Sequence, residues 1–296
     1  MIIANMGTTC DVRITNYKHM KKLSVPLILL LAVAGCNIFS SDRDGSVPFV
    51  NYQEGQTSLY ESRSYFRPAD STEYEKLYTE LTETVVTKAD DHLEIGDTLL
   101  TDLIKMEMTL EQEVSGTFHG SVWYHYDELF FTEYVYSRPP LGSLAQPKIA
   151  ELSKKIPRAN ISHLLEKFSP VRMITGDFHL EDNEDEELSL RSDPRRVHPV
   201  RFHIGRKWTS FTDPFLSKSE ITGQKVIEIN DNQYDTYVIE TTNYLNGSEF
   251  NMTSYFESNG LVKRVVVQEQ DIRDEVGEVI DEGVFRGVIE RVSFSE

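Results

Sequence analysis

Cysteine is nearly absent from this chain, with only Cys10 and Cys36 in 296 residues. A disulfide framework needs pairs, and a Cys-x-x-Cys redox or zinc motif needs close spacing, so both are excluded. Positive charge is also scarce. There are 30 Lys and Arg against 48 Asp and Glu, a net charge of −18. Nucleic acid and anionic lipid surfaces are read by clustered Lys and Arg, so neither is an expected electrostatic partner. Long apolar runs are missing too. The apolar stretch from Val25 to Ala34 is shorter than the roughly 20 residues that cross a bilayer. No Gly-x-Ser-x-Gly, His-Glu-x-x-His or Gly-rich phosphate loop occurs. The expectation is a non-enzymatic protein with no cofactor and no metal.

Some local features invite a metal, and each has a plainer reading. His198, His203 and Asp193 lie close in sequence but show no convergence, so the histidines read as surface residues beside a strand start. Residues 181–187, EDNEDEE, lack the glycine and ligand spacing of a calcium loop and read as a solvated acidic loop.

What is present begins at Met20-Lys21-Lys22, followed by the apolar run and by Val33-Ala34-Gly35-Cys36. A short basic region, an apolar core and small residues before a cut describe a secretory signal peptide. The tetrad ending at Cys36 resembles the lipobox of bacterial lipoproteins. That resemblance implies a diacylglyceryl group on the Cys36 thiol, cleavage before it and acylation of the new amine, palmitate being the usual kind of chain. Residues 1–19 then read as an upstream extension, 20–35 as the signal, and 36–48 as an acylated tether rich in Ser, Asp and Gly. One β-rich domain is expected over 49–296. Residues 1–35 carry Arg13, Lys18, Lys21 and Lys22 against Asp11, so the mature chain is about three charges more negative. Attachment would come from covalent lipid, each buried methylene contributing about 0.8 kcal/mol. Asn37 follows the cysteine where Asp would imply inner-membrane retention in enteric lipoproteins, so the resemblance places the anchor in the outer membrane.

Alternation with period 2 dominates the rest. Ile104, Met106, Met108 and Leu110 share one face, while Lys105, Glu107, Thr109 and Glu111 share the other. Thr117–Tyr126 and Leu129–Tyr136 read as a hairpin turning at Asp127-Glu128. Lys225–Ile229 and Tyr234–Tyr244 flank the turn-forming Asn230-Asp231-Asn232. Asn246-Gly247 predicts a tight hairpin into Phe250–Phe256, and Ser258-Asn259-Gly260 turns into Leu261–Gln268. Val284–Phe294 closes the chain. Ser71–Thr87 fits a helix face or a strand, and its density of β-branched residues favours the strand. Lys148–Ser169 has helical spacing divided by Pro157. The predicted fold is mainly β (α+β): about ten strands in a large curved antiparallel sheet or half-barrel, with a short two-helix cover.

A weak internal echo links Phe49–Gly55, FVNYQEG, to Pro199–Gly205, PVRFHIG, each placed before a strand. With Arg206–Phe211 and the late Tyr255–Lys263, these segments resemble uncharacterised envelope lipoproteins related to the LolA/LolB half-barrel group. That resemblance implies a curved sheet around an apolar hollow. Phe118, Val122, Tyr124, Phe131, Phe250, Met252 and Phe256, with Met106 and Met108, are candidates to line such a pocket or to fill an ordinary sheet core. The expected function is an envelope lipoprotein whose sheet binds an apolar small molecule or lipid. The alternative is a structural or assembly lipoprotein that binds another envelope protein.

Overall fold

The computed structural model describes residues 48–137 and 188–296, apart from residues 96, 113–115, 213–215, 246–247, 274–275 and 277. Val47–Glu296 forms one compact unit. The expected signal peptide, Cys36, nearly all of the tether, the helices of Lys148–Ser169 and the acidic loop fall outside the described residues.

Twelve strands follow in order: β1 (Thr57–Pro68), β2 (Glu75–Ile95), β3 (Thr98–Gln112), β4 (Gly116–Tyr126), β5 (Phe130–Ser137), β6 (Leu188–Pro199), β7 (Lys207–Phe211), β8 (Leu216–Ile229), β9 (Asn232–Leu245), β10 (Ser248–Glu257), β11 (Gly260–Arg273) and β12 (Val279–Ser295). Chain neighbours pair antiparallel within β1–β6 and within β7–β12, and β1 pairs with β12. The two ends of the sheet, β6 and β7, lie side by side without a hydrogen-bonded ladder. The sheet is therefore an antiparallel barrel nearly closed on itself, rather than the half-barrel of about ten strands. No helix occurs among the described residues, so the expected two-helix cover is not seen there. Among the described residues, the sheet covers its own apolar face by curling.

The strand that alternation misses is β6. Pro194 lies where the β5–β6 register slips between Glu133 and Val135, and Pro199 ends the strand. Proline lacks an N–H, and both prolines sit on an end strand, where a missing ladder bond is tolerated. Ser71–Thr87 resolves as a turn followed by β2. At the β8–β9 turn, Asn230 and Asp231 adopt φ of 49° and 64°, the left-handed pair that a two-residue hairpin requires.

Alternation decides which face is wet. In β1, Ser58, Tyr60, Ser62, Ser64 and Phe66 are buried, while Glu61 and Arg63 lie on the other face. On that outer face Glu290 of β12 is bound by Arg63 of β1 and by Lys263 of β11. Paired charges therefore sit in mid-strand on the outer face of β11, β12 and β1.

The internal echo has a structural basis. The Gly55 N–H donates to the Val86 carbonyl at 2.8 Å, and Val86 N–H donates back to Gln56 at 2.9 Å. The Gly205 N–H donates to Ile221 at 2.7 Å, and Ile221 N–H to Arg206 at 3.0 Å. Each glycine has a positive φ, 89° and 85°. Both loops therefore dock the same way onto the second strand of their half, β2 or β8. The β6–β7 approach occupies the place in one half-turn that the β12–β1 ladder occupies in the other. The barrel thus has two six-strand halves whose entry loops dock alike, with a ladder at the β12–β1 junction and none at the β6–β7 junction.

Candidate functional site

The interior has two characters. At one end, the loops before β1 and β7 fold inward and deliver Tyr52 and Phe202. Phe131 of β5 is stacked on Tyr124 at 4.6 Å, on Tyr52 at 5.0 Å and on His198 at 4.9 Å between ring centres. His198 in turn meets Phe256 of β10 edge-on at 5.2 Å, so two walls of the barrel touch. Offset and edge-on aromatic contacts of this kind contribute about 0.5–1.5 kcal/mol each beyond their buried area. Tyr126 Oη donates to the Val50 carbonyl at 2.5 Å and Tyr60 Oη to the Leu261 carbonyl at 2.9 Å. Burial raises the pKa of Tyr52, Tyr60, Tyr124 and Tyr126, which keeps these phenols neutral and able to donate.

His198 is fully buried, which corrects the surface position expected for it, whereas His203 is exposed. Its Nδ1 lies 3.0 Å from the Pro199 carbonyl, which assigns the ring proton to Nδ1, and Nε2 has no partner. Burial lowers its pKa to about 4. No group of three His, Cys, Asp or Glu side chains able to hold a metal occurs among the described residues.

Toward the other end the lining turns polar. Arg195 of β6 donates to Glu133 of β5 at 2.7 Å, with both side chains buried. Arg264 of β11 donates through Nε to Ser254 of β10 at 2.8 Å. Ser210, Ser219 and Thr241 form a hydroxyl chain across β7, β8 and β9, each link 2.8 Å. Burial, followed by the nearby Arg195 charge, lowers the pKa of Arg264 to about 10, which leaves it charged at neutral pH.

Two voids flank Arg264. One, a cavity of about 30 Å³, runs from Arg195–Val197 and Ser210–Phe211 on the seam strands to Asn243, Met252 and Phe256. The other, also about 30 Å³, lies among Tyr52, Tyr60, Met106, Tyr124, Phe131 and Leu261. Both touch Val197, Phe256 and Arg264. Each is narrow, with room for about one or two waters before side chains shift.

The residues singled out by sequence divide between these spaces. Met106, Tyr124, Phe131 and Phe256 line the second void, and Met252 and Phe256 line the first. Met108, Val122 and Phe250 line neither and pack in the same apolar cluster. The Phe118 side chain lies outside the described residues. Sequence reasoning missed Arg195, Glu133, Arg264 and Asn243. A signal for Arg264 exists: it sits between Val262 and Val266 at period 2, and all three are buried. A charged residue in phase with the apolar face is a buried charge in waiting.

No protein family, no curated protein and no solved structure matches the chain. The likeness to the LolA/LolB group thus has no support from relatives, and the large, nearly closed antiparallel sheet is what stands.

Proposed function

We propose that this chain is a lipid-anchored, non-enzymatic protein of the bacterial envelope, held at the outer membrane through Cys36, whose barrel admits a small amphiphile at the β6–β7 seam. The observation that carries this reading is the void behind the seam, with aromatic groups at one end and hydroxyls and arginines at the other. An amphiphile needs such a lining, because its two parts are solvated differently. The seam suits entry, since parting β6 from β7 breaks no strand ladder. Trp208 Nε1 of β7 donates to the Arg196 carbonyl of β6 at 3.3 Å and would have to let go.

Two measurements test the two halves of the proposal. Intact-mass analysis of the membrane-extracted protein should give a chain starting at acylated Cys36. A product that keeps Gly35 or carries no lipid removes the anchor. Titration of the full chain with a fluorescent fatty-acid analogue should saturate at one per chain. Val197→Trp, which would fill both voids, should weaken binding at least tenfold. Unchanged binding in that variant would place the ligand outside the barrel.

The narrowness of the voids favours a second reading, in which the barrel is a filled scaffold for assembly. The end strands β6 and β7 then matter for their open edges, and β7 is only 5 residues long. An open edge can accept a strand from a partner protein. Absence of any saturable ligand would favour this reading.

A further inference from the structure

The void behind the seam has a chemical preference beyond being amphipathic. Asn243 of β9 is 4% exposed, lines the void, and its Nδ2 has no hydrogen-bond partner. A buried amide left without a partner costs about 1–3 kcal/mol, so a group that accepts its proton is favoured there. The hydroxyl chain points the same way. Ser210, Ser219 and Thr241 own three O–H protons, and the two bonds among them use two. One proton is left to donate. Arg195 and Arg264, 7% and 3% exposed, add two guanidiniums to the lining. Guanidiniums have donors and no acceptor. The space is thus bordered by N–H and O–H groups from five strands, inside a protein whose net charge is −18.

Resting on the ligand-binding reading above, we infer that the void is an oxyanion site, which takes the phosphate or carboxylate end of an amphiphile among Arg264, Arg195 and Asn243. Charged hydrogen bonds to an oxyanion are about twice as strong as neutral ones, and bidentate arginine adds direction. The void holds about one or two waters as it stands, so a phosphate head displaces them and shifts the lining side chains, and a tail can leave through the seam that the same void touches. Glu133 Oε2 accepts from Arg195 at 2.7 Å, and Asn243 Nδ2 has no partner.

Calorimetric titration of the full chain in lipid nanodiscs with dodecyl phosphate, dodecanol and inorganic phosphate tests this. Dodecyl phosphate should bind at least tenfold tighter than dodecanol. Asn243→Asp, which keeps the side-chain shape and replaces the amide donor with a carboxylate, should raise the Kd for dodecyl phosphate at least tenfold. It should leave dodecanol unchanged. Arg264→Gln should act the same way, and if it fails to fold, the Asn243 variant decides alone. Inorganic phosphate bound with the same sensitivity supports the oxyanion site and makes a free anion its source. Equal affinity for dodecanol and dodecyl phosphate, untouched by Asn243→Asp, overturns the oxyanion site while leaving amphiphile binding intact. No binding of any of the three overturns both.

Discussion

Replacing Glu133 with leucine should cost about 3–5 kcal/mol of stability, the usual effect of removing one member of a buried ion pair. Glu133 is 1% exposed and Arg195 7% exposed, and the pair spans β5 and β6 beside the seam. Taking two charges out of water is costly, and mutual attraction offsets that cost only while both are present. The single substitution leaves the Arg195 guanidinium inside without its 2.7 Å carboxylate. The double variant Glu133→Leu with Arg195→Met removes both charges and should recover most of the loss. Urea unfolding measures this directly, because a fall in midpoint at constant slope is a loss of stability. A single variant within 1 kcal/mol of wild type would mean that water reaches the pair in solution. A double variant no better than the single would show that the pair's hydrogen bonds, rather than charge burial, set the cost.

How much of this was legible in the sequence depends on which interaction decides each part. Strand existence was legible wherever one face is buried and the other wet, as at Ile104–Leu110, because period-2 patterning and burial coincide there. Turn chemistry fixed the β8–β9 hairpin, since few residues other than Asn, Asp and Gly tolerate the φ values at Asn230 and Asp231. Closure was not legible. It depends on the register between β1 and β12, which are joined by no local turn, and on two loops that dock by backbone hydrogen bonds. Strand β6 was hidden by its own prolines, which an end strand accepts and a central strand would not.

The polar chamber was hidden for a different reason. Its residues are serine, threonine, asparagine and arginine, which composition assigns to the surface. Only their phase within each strand places them inward, and bulges reset that phase, as between Thr209 and Phe211 or between Tyr255 and Phe256. Ser58, Ser62 and Ser64 of β1 are buried too, so inward polar groups are not confined to the seam side. Aromatic groups from β6 and β10 meet across the interior, which narrows the space that twelve strands enclose.

The acid response of the barrel should be dominated by a group inside that aromatic contact. His198 joins the walls through Phe131 and Phe256, and burial holds its pKa near 4, while the unfolded chain titrates near 6.5. Above about pH 6.5 the ring is neutral in both states and contributes no pH dependence. Between about 6.5 and 4 the unfolded chain binds a proton that the folded chain refuses, so folding stability falls as pH falls. The full difference corresponds to about 3 kcal/mol, reached once the pH is below both values. The Pro199 carbonyl works against this shift and the Arg264 charge adds to it, both less than burial does. His198→Phe keeps an aromatic ring against Phe131 and has nothing to protonate. Carboxylates elsewhere titrate in both proteins, so the measurement is the difference between their unfolding free energies from pH 7 to pH 4. That difference should grow by about 3 kcal/mol in favour of the phenylalanine variant as pH drops. A flat difference would mean that His198 takes up a proton in the folded state as readily as in water, and the closed wall-to-wall contact would fall with it.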